Sequence, residues 1–399
     1  MSQNINFKLF LYLISLLCFS YFFLYLKYPV PNDSTISEWL INYEGGFTKR
    51  GIIGQIAIFL SRTFDQNLRW IIYILQIISC SIYFILLFNF LKDIKHNRLT
   101  LLAIFAPIFI LYPIAEIEVL ARKEIIVFSL YIAYLFVPKI KYFKKISFIL
   151  FLILAVLVWE PVVFYLPLIF LIELIENKIS KINFDFFKII FLFIPGIIVA
   201  FYIAFNPITS ENHDLMSNIL KNEFGETCYM SCALLKSKST ILDQLNPIDA
   251  YTFERVFRYI MIFLIGFGPI FILFKNSILI NKNIIFLKNF SSLFYPAIIS
   301  LLPVIIIFAI GYDWGRWVNI SYVFTAIFFF YLFKNQYIYL NQNIKNNFLN
   351  KMSKKIFVFL FIIFCFGWNP KTALTGDIAS FPGYRIPYKT LSFFIRGHL

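Results

Sequence analysis

Apolar runs recur from one end of this chain to the other, many of them of about 17 to 25 residues and so long enough as a helix to cross the ~30 Å hydrocarbon layer of a bilayer. A sequence that must hide so many such runs cannot fold as a water-soluble globule. The balance of side chains agrees: 60% of the 399 residues are hydrophobic and 14% charged, with mean hydropathy +0.78, whereas soluble domains carry about 25% charged residues. The runs are Leu9 to Leu26, Trp70 to Leu91, Leu99 to Ala115, Ile125 to Val137, Ile146 to Trp159, Pro161 to Ile175 and Ile189 to Phe205, then Tyr259 to Phe274, Leu293 to Ile310, Trp317 to Phe333 and Ile356 to Trp368. They predict an all-α, polytopic transmembrane helical bundle of about eleven spans, a single integral membrane domain over 1–399. The first run lacks a small-residue cleavage pattern and reads as a signal anchor that stays.

Basic residues accumulate on the cytoplasmic side of short loops. With the N-terminus inside and the C-terminus outside, the cytoplasmic segments hold nineteen of the 36 lysines and arginines and four of the 21 acids, a net of +15 that equals the whole formal charge. The remaining seventeen bases and seventeen acids face outward. A basic inner face of this kind suits anionic lipid headgroups and needs no nucleic acid. The abundance of Phe, Tyr, Ile, Asn and Lys fits an AT-rich bacterial genome, hence a bacterial cytoplasmic membrane. Chemistry is expected in the outer segments, about 27–69, 115–124, 206–258, 311–316 and the tail 369–399, whose Pro382 and Pro387 argue against a continuous helix.

Five cysteines make no disulfide framework. Cys18, Cys80 and Cys365 lie in apolar runs as small hydrophobes, while Cys228 and Cys232 share an outer segment, as a local disulfide or as simple helix-surface neighbours. The three histidines are scattered, with no zinc spacing.

In the first outer loop, Thr35 with Glu38 reads as a capping box that starts a short helix, and Gly45-Gly46 reads as its end. Apolar residues from Phe47 to Phe64 then recur at helical spacing, as in an interfacial helix. Glu44 followed by two glycines, Lys49 and Arg50 suits a phosphorylated headgroup: bases pair with phosphate, glycines admit the backbone amides, and the carboxylate takes a proton. The plain alternative is a solvated turn with an interfacial anchor. The second outer turn carries Glu116, Glu118, Arg122, Lys123 and Glu124 before an apolar stretch of only 13 residues. The helix is therefore expected to begin near Ala115, with Arg122-Lys123-Glu124 two turns inside it, lining a watery cavity or forming a self-satisfied ion-pair cluster. A hairpin tip at Trp159-Glu160-Pro161 directs another carboxylate there, unless Glu160 simply caps a helix beside a proline kink. Finally, Asp313, Trp314 and Arg316 share a compact turn, where an arginine fork can hold phosphate and an indole can face a sugar or prenyl chain, or where a salt bridge pins an aromatic belt.

This layout resembles that of multi-span glycosyltransferases of the GT-C type of fold and of the related O-antigen and capsule polysaccharide polymerases. An acidic residue in the first outer loop (Glu44, or its neighbours Asp33 and Glu38) and another after the third span (Glu116, Glu118 or Glu124) match the first group. The long segment from Asn206 to Arg258 matches the outer loop of the second. The paired Asp-Glu or Asp-Asp of many GT-C first loops is absent. The resemblance implies attack on the anomeric carbon of a polyprenyl-phosphate-linked glycan, with Glu44 as base. Lys49, Arg50, Arg122, Lys123, Glu160, Asp313, Trp314 and Arg316 would bind phosphate and substrate, and Glu116, Glu118 and Glu124 would hold a divalent cation such as Mg or Mn if one is used. Membrane lipids and other polysaccharide-assembly proteins are the further partners implied. A transporter or lipid-linked-glycan flippase is the alternative, disfavoured because flippases place charge near the midplane and show internal repeats. A non-catalytic scaffold would leave Arg122-Lys123-Glu124 unexplained.

Overall fold

Short polar side chains open several of the helices. Asn67, Asn183, Thr209, Thr252 and Ser353 each accept a hydrogen bond from a backbone N–H of the first turn that follows, satisfying donors that have no partner inside the helix. The computed structural model describes residues 2–237, 243, 245, 251–341 and 348–372. Pro382 and Pro387, on which the reading of the tail rests, lie outside the described residues.

In chain order the helices are α1 Ser2–Lys27, α2 Ser34–Ser37, α3 Gly51–Phe64, α4 Leu68–Leu91, α5 Arg98–Ile104, α6 Tyr112–Ala115, α7 Glu124–Phe136, α8 Lys141–Val158 and α9 Leu166–Glu176. There follow α10 Phe184–Phe205, α11 Ser210–Phe224, α12 Leu234–Ser237, α13 Phe253–Lys275, α14 Phe294–Leu301, α15 Ile305–Ile310, α16 Trp314–Lys334, α17 Phe348–Lys351 and α18 Lys354–Phe366. Among the described residues the sheet is one antiparallel pair, β1 Ser277–Leu279 with β2 Ile338–Leu340, in register Ile278 to Tyr339. The fold is thus all-α in substance. Five helices, within Asn6–Lys27, Leu68–Leu91, Phe184–Phe205, Phe253–Lys275 and Trp314–Lys334, are long and apolar enough to cross a membrane. Phe, Ile and Leu side chains stand exposed along α1, α10 and α13, as suits contact with lipid.

The chain forms two compact units, Met1–Lys92 with Val119–Leu166 and Asn183–Asn246, and Asp93–Glu118 with Pro167–Ile182 and Pro247–Leu399. In the first, α4 packs on α1 and α7, α8 packs on α7 and α10, and α3 touches α4 and α8. In the second, α13 contacts α5, α14 and α16. Almost all of α16 is buried, including its polar Asn319, Ser321 and Thr325.

Several expected helices are interrupted, each for a local reason. The run Leu99 to Ala115 stops at Ile104 and resumes at Tyr112, because Pro107 removes an N–H donor from the helical ladder. The carbonyls of Ile108 and Phe109 both accept from Asn319 Nδ2, at 2.9 and 3.0 Å, and Tyr322 donates to the Ala103 carbonyl at 2.7 Å. Irregular backbone at such depth persists only where neighbouring groups satisfy it. Pro303 similarly divides Leu293 to Ile310 into α14, a 3-10 turn and α15. The helix expected to start near Ala115 starts instead at Glu124, since Ala121 adopts a left-handed φ of 52°. Its carbonyl accepts from Trp39 Nε1 at 3.0 Å. Arg122 and Lys123 therefore sit in a turn before α7 rather than two turns inside it.

Replacing Asn319 by Leu keeps the bulk of the side chain but strands the Ile108 and Phe109 carbonyls. Thermal unfolding of the purified protein in detergent is expected to show a loss of roughly 1–3 kcal/mol. An unchanged midpoint would show that those carbonyls find other partners.

Candidate functional site

The first loop is held by hydrogen bonds rather than by regular structure. Asp33, not Thr35, caps α2: its carboxylate accepts from Thr35 N at 2.8 Å and Thr35 Oγ1 at 2.6 Å, and it pairs with Lys27 at 2.9 Å. The expected capping box is therefore absent. Glu38 is released from that duty and turns inward, with 1% of its side chain exposed. Nor does α2 run on to the glycine pair. It ends at Ser37, and Gly46, at φ +108°, closes a turn by donating to the Tyr43 carbonyl. Gly54 of α3 faces the Ile41 carbonyl oxygen so closely that a Cβ there would lie 2.0 Å from it. Only glycine lets α3 lie this near the loop.

Within the first unit, six of the singled-out residues come together around Glu38. Arg122 Nη1 donates to Glu38 Oε1 at 3.0 Å, and Arg50 Nη1 stands 3.9 Å from the same oxygen. Arg50 also forks onto Glu160, Nε to Oε2 and Nη2 to Oε1, each at 2.8 Å. Lys123 is fully buried and donates to the Arg50 carbonyl at 2.5 Å. Arg50 itself has a left-handed φ of 62°, which turns its carbonyl toward Lys123 while its guanidinium reaches Glu160. Glu124 lies buried next in the chain, and Lys49 is close enough for its charge to act on Glu160.

The cluster thus sets Lys49, Arg50, Arg122 and Lys123 against Glu38, Glu124 and Glu160. Burial pushes the Lys123 ammonium down to about 7; Glu38 opposes the fall and Arg50 adds to it. Burial would raise the Glu160 carboxyl, but the Arg50 charge and hydrogen bonds, with help from Lys49, hold it below its usual range.

Glu44 has a different set of partners. Arg62 donates to its two oxygens at 3.0 and 2.9 Å, Gln55 Nε2 donates at 2.7 Å, and Arg62 also forks onto Glu223 at 2.6 and 2.8 Å. The Arg62 hydrogen bond holds the Glu44 carboxyl below its ordinary value. Such a group is ionised at neutral pH but is a weaker base than a free carboxylate. Glu38, which the sequence offered only as a capping residue and as an alternative to Glu44, and Arg62, which it did not offer, decide the electrostatics here. A capping pattern hid the first, and the interfacial-helix pattern absorbed the second.

Asp313, Trp314 and Arg316 belong to the second unit. Arg316 Nη1 lies 3.6 Å from Asp313, and its guanidinium sits 5.2 Å from the Trp317 ring. Trp314 Nε1 donates to the Phe308 carbonyl at 2.9 Å, while Tyr259 packs edge-on against the Trp314 ring. Glu116 is fully buried in the same unit and accepts from Thr372 Oγ1 at 3.3 Å. Glu118 is half-buried there, whereas Glu124 belongs to the first unit. Among the described residues, the one group of three side chains able to converge on a metal ion is His213, Cys228 and Cys232, not these three carboxylates. Cys228 and Cys232 are joined as a disulfide, and His213 Nε2 lies 3.2 Å from the Cys232 carbonyl oxygen.

No family model, no curated protein and no solved structure matches the chain. Geometry alone therefore bears on function.

Two outcomes follow from the charges. Glu38→Gln leaves Arg122 buried without its carboxylate and is expected to cost about 3–5 kcal/mol of stability, while Glu44→Gln, at a partly solvated site, costs under about 1 kcal/mol. Chemical denaturation of the two variants checks the contrast, and equal losses would refute it. Between pH 7 and 10.5 the folded chain has shed the Lys123 proton that the unfolded chain still binds, so this group makes stability rise with pH across that window. Lys123→Met should flatten the rise, as measured by unfolding midpoints at several pH values.

Proposed function

We propose that this protein is a membrane glycosyltransferase that uses a polyprenyl-phosphate-linked sugar or oligosaccharide at the outer face of a bacterial cytoplasmic membrane, in assembly or polymerisation of a cell-surface polysaccharide. The observation that carries the proposal is the buried basic cluster around Arg50, Arg122 and Lys123. Lys49, Arg50 and Arg122 balance Glu38, Glu124 and Glu160, and Lys123, which burial holds near 7, adds an excess positive charge when it takes up a proton, in a largely desolvated place where a phosphate anion is held more strongly than in water. The lysine asymmetry supports about eleven spans with the N-terminus cytoplasmic and the C-terminus outside. A Cys228–Cys232 disulfide suits the oxidising side that this orientation gives its segment.

In the proposed reaction the acceptor hydroxyl attacks the anomeric carbon. The bond from that carbon to the polyprenyl phosphate oxygen breaks, its electron pair stays on the phosphate, and the acceptor proton passes to a carboxylate. Arg50, Arg122 and Lys123 would stabilise the charge that develops on the leaving phosphate, with Lys49 beside them. An arriving phosphate favours the protonated form of Lys123, so binding would take up a proton near neutral pH. Glu44 is the proposed acceptor of the hydroxyl proton, kept ionised by Arg62.

Lipid-linked glycans and surface polysaccharide extracted from cells with and without the gene test this reading. Single accumulated repeat units indicate a polymerase, a truncated unit indicates one missing transfer, and an unchanged glycan profile overturns the proposal. Glu44→Gln is expected to reproduce the deletion at normal protein abundance. Full activity in that variant would remove Glu44 from the mechanism.

A further inference from the structure

The second unit holds a cavity of about 520 Å³ where α13 ends, lined by Lys275, Lys282, Lys288, Asn276, Ser291 and Asn341. Its size is that of a small-molecule site, and its lining sets the lysines and asparagines beside apolar Ile278, Leu279, Leu287 and Phe290. Among the described residues none of the three lysines has an ion-pair or hydrogen-bond partner. The sequence explains why: between Glu254 and Asp377 the sole acid is Asp313. Asp313 stands at the start of α16, while β2, which pairs beside the cavity, follows the end of that helix. A helix of 21 residues separates the two, roughly 30 Å at 1.5 Å per residue. Glu176, three residues before the Ile179 carbonyl that ties the segment between β1 and α14, accepts from the Tyr331 and Tyr337 hydroxyls.

The cavity is built, not a chance dent between mobile side chains. The antiparallel pairing of β1 with β2 fixes its floor, Asn341 N donates to the Asn276 carbonyl at 2.9 Å, and Ser277 Oγ donates to the Phe274 carbonyl at 2.7 Å. The segment between β1 and α14 is tied at Ile285, whose N–H donates to the Ile179 carbonyl at 2.7 Å. Three exposed lysines lining one hollow make it electropositive, which favours an anion there. The Asn289 amide and the Ser291 hydroxyl, which also line it, add neutral donors of the kind phosphate oxygens accept. Around the same segment Ile280, Phe286 and Tyr295 are exposed apolar or aromatic side chains, as at a membrane interface where headgroups lie.

We propose that this cavity binds a phosphate-bearing anion, separately from the basic cluster of the first unit. The chemistry is shared by a free diphosphate compound and by an anionic lipid headgroup, and the test distinguishes the two. Purified full-length protein in phosphatidylcholine nanodiscs is titrated with inorganic pyrophosphate, and in a second arm phosphatidic acid is added to the nanodisc lipid, with the thermal midpoint as readout. Wild type is expected to be stabilised in at least one arm. Stabilisation by pyrophosphate assigns a free phosphate compound, and stabilisation by phosphatidic acid alone assigns a headgroup.

The triple variant K275Q/K282Q/K288Q should weaken that response about tenfold or more in apparent affinity, the equivalent of about 1.4 kcal/mol. The triple variant with arginine at the same positions should retain it, which separates charge from misfolding. K351Q/K354Q/K355Q, which removes three exposed lysines elsewhere in the unit, should leave it unchanged. No response of the wild type in either arm, or equal loss in the two glutamine triple variants, would overturn the proposal.

Discussion

The Arg122–Glu38 ion pair organises the first unit. A guanidinium can be buried only with a partner, because the cost of removing it from water is several kcal/mol, and Glu38 supplies that partner from a loop 84 residues away in sequence. Once Glu38 is fixed, Arg50 is drawn to the same carboxylate and to Glu160, and its left-handed backbone presents a carbonyl to Lys123. Trp39, next to Glu38, completes the tie by donating to Ala121, next to Arg122. The turn before α7 is consequently not helical. The residues that break the helix are the ones that build the cluster.

The same logic of satisfied polar groups governs the second unit, with neutral side chains in place of charges. α16 reads in sequence as an ordinary span, yet its Asn319 and Tyr322 serve the carbonyls freed where the α5 region loses its ladder at Pro107. A broken helix and a polar buried helix are two halves of one arrangement. Lys275, Lys282 and Lys288, whose ammonium groups meet no carboxylate among the described residues, line a cavity.

Candidate residues were legible in the first loop and second turn because charges so close to apolar runs are conspicuous. Arg50, Arg122, Lys123 and Glu160 do meet. Their partners were harder to see. Glu38 sits three residues after Thr35, the spacing of a capping box, and only the coordinates show Asp33 occupying that role. Glu44, flanked by glycines, looks open in sequence but is held by Arg62, eighteen residues on, and by Gln55. Local spacing describes what a residue can do within its own helix, whereas leaving a buried Arg122 without a carboxylate would cost several kcal/mol, more than the roughly one that a cap is worth.

By itself the sequence determined the helical class, the apolar segments and the uneven distribution of charge, since these follow from hydropathy and from the length of a helix able to hide it. The tertiary structure decided which apolar segments remain single helices, which carboxylate answers which cation, and that Cys228 and Cys232 are bonded. Those outcomes depend on what lies opposite a group in space. A buried donor, acceptor or charge takes the best partner that packing brings within about 3 Å, and nothing in the order of residues along the chain specifies that neighbour.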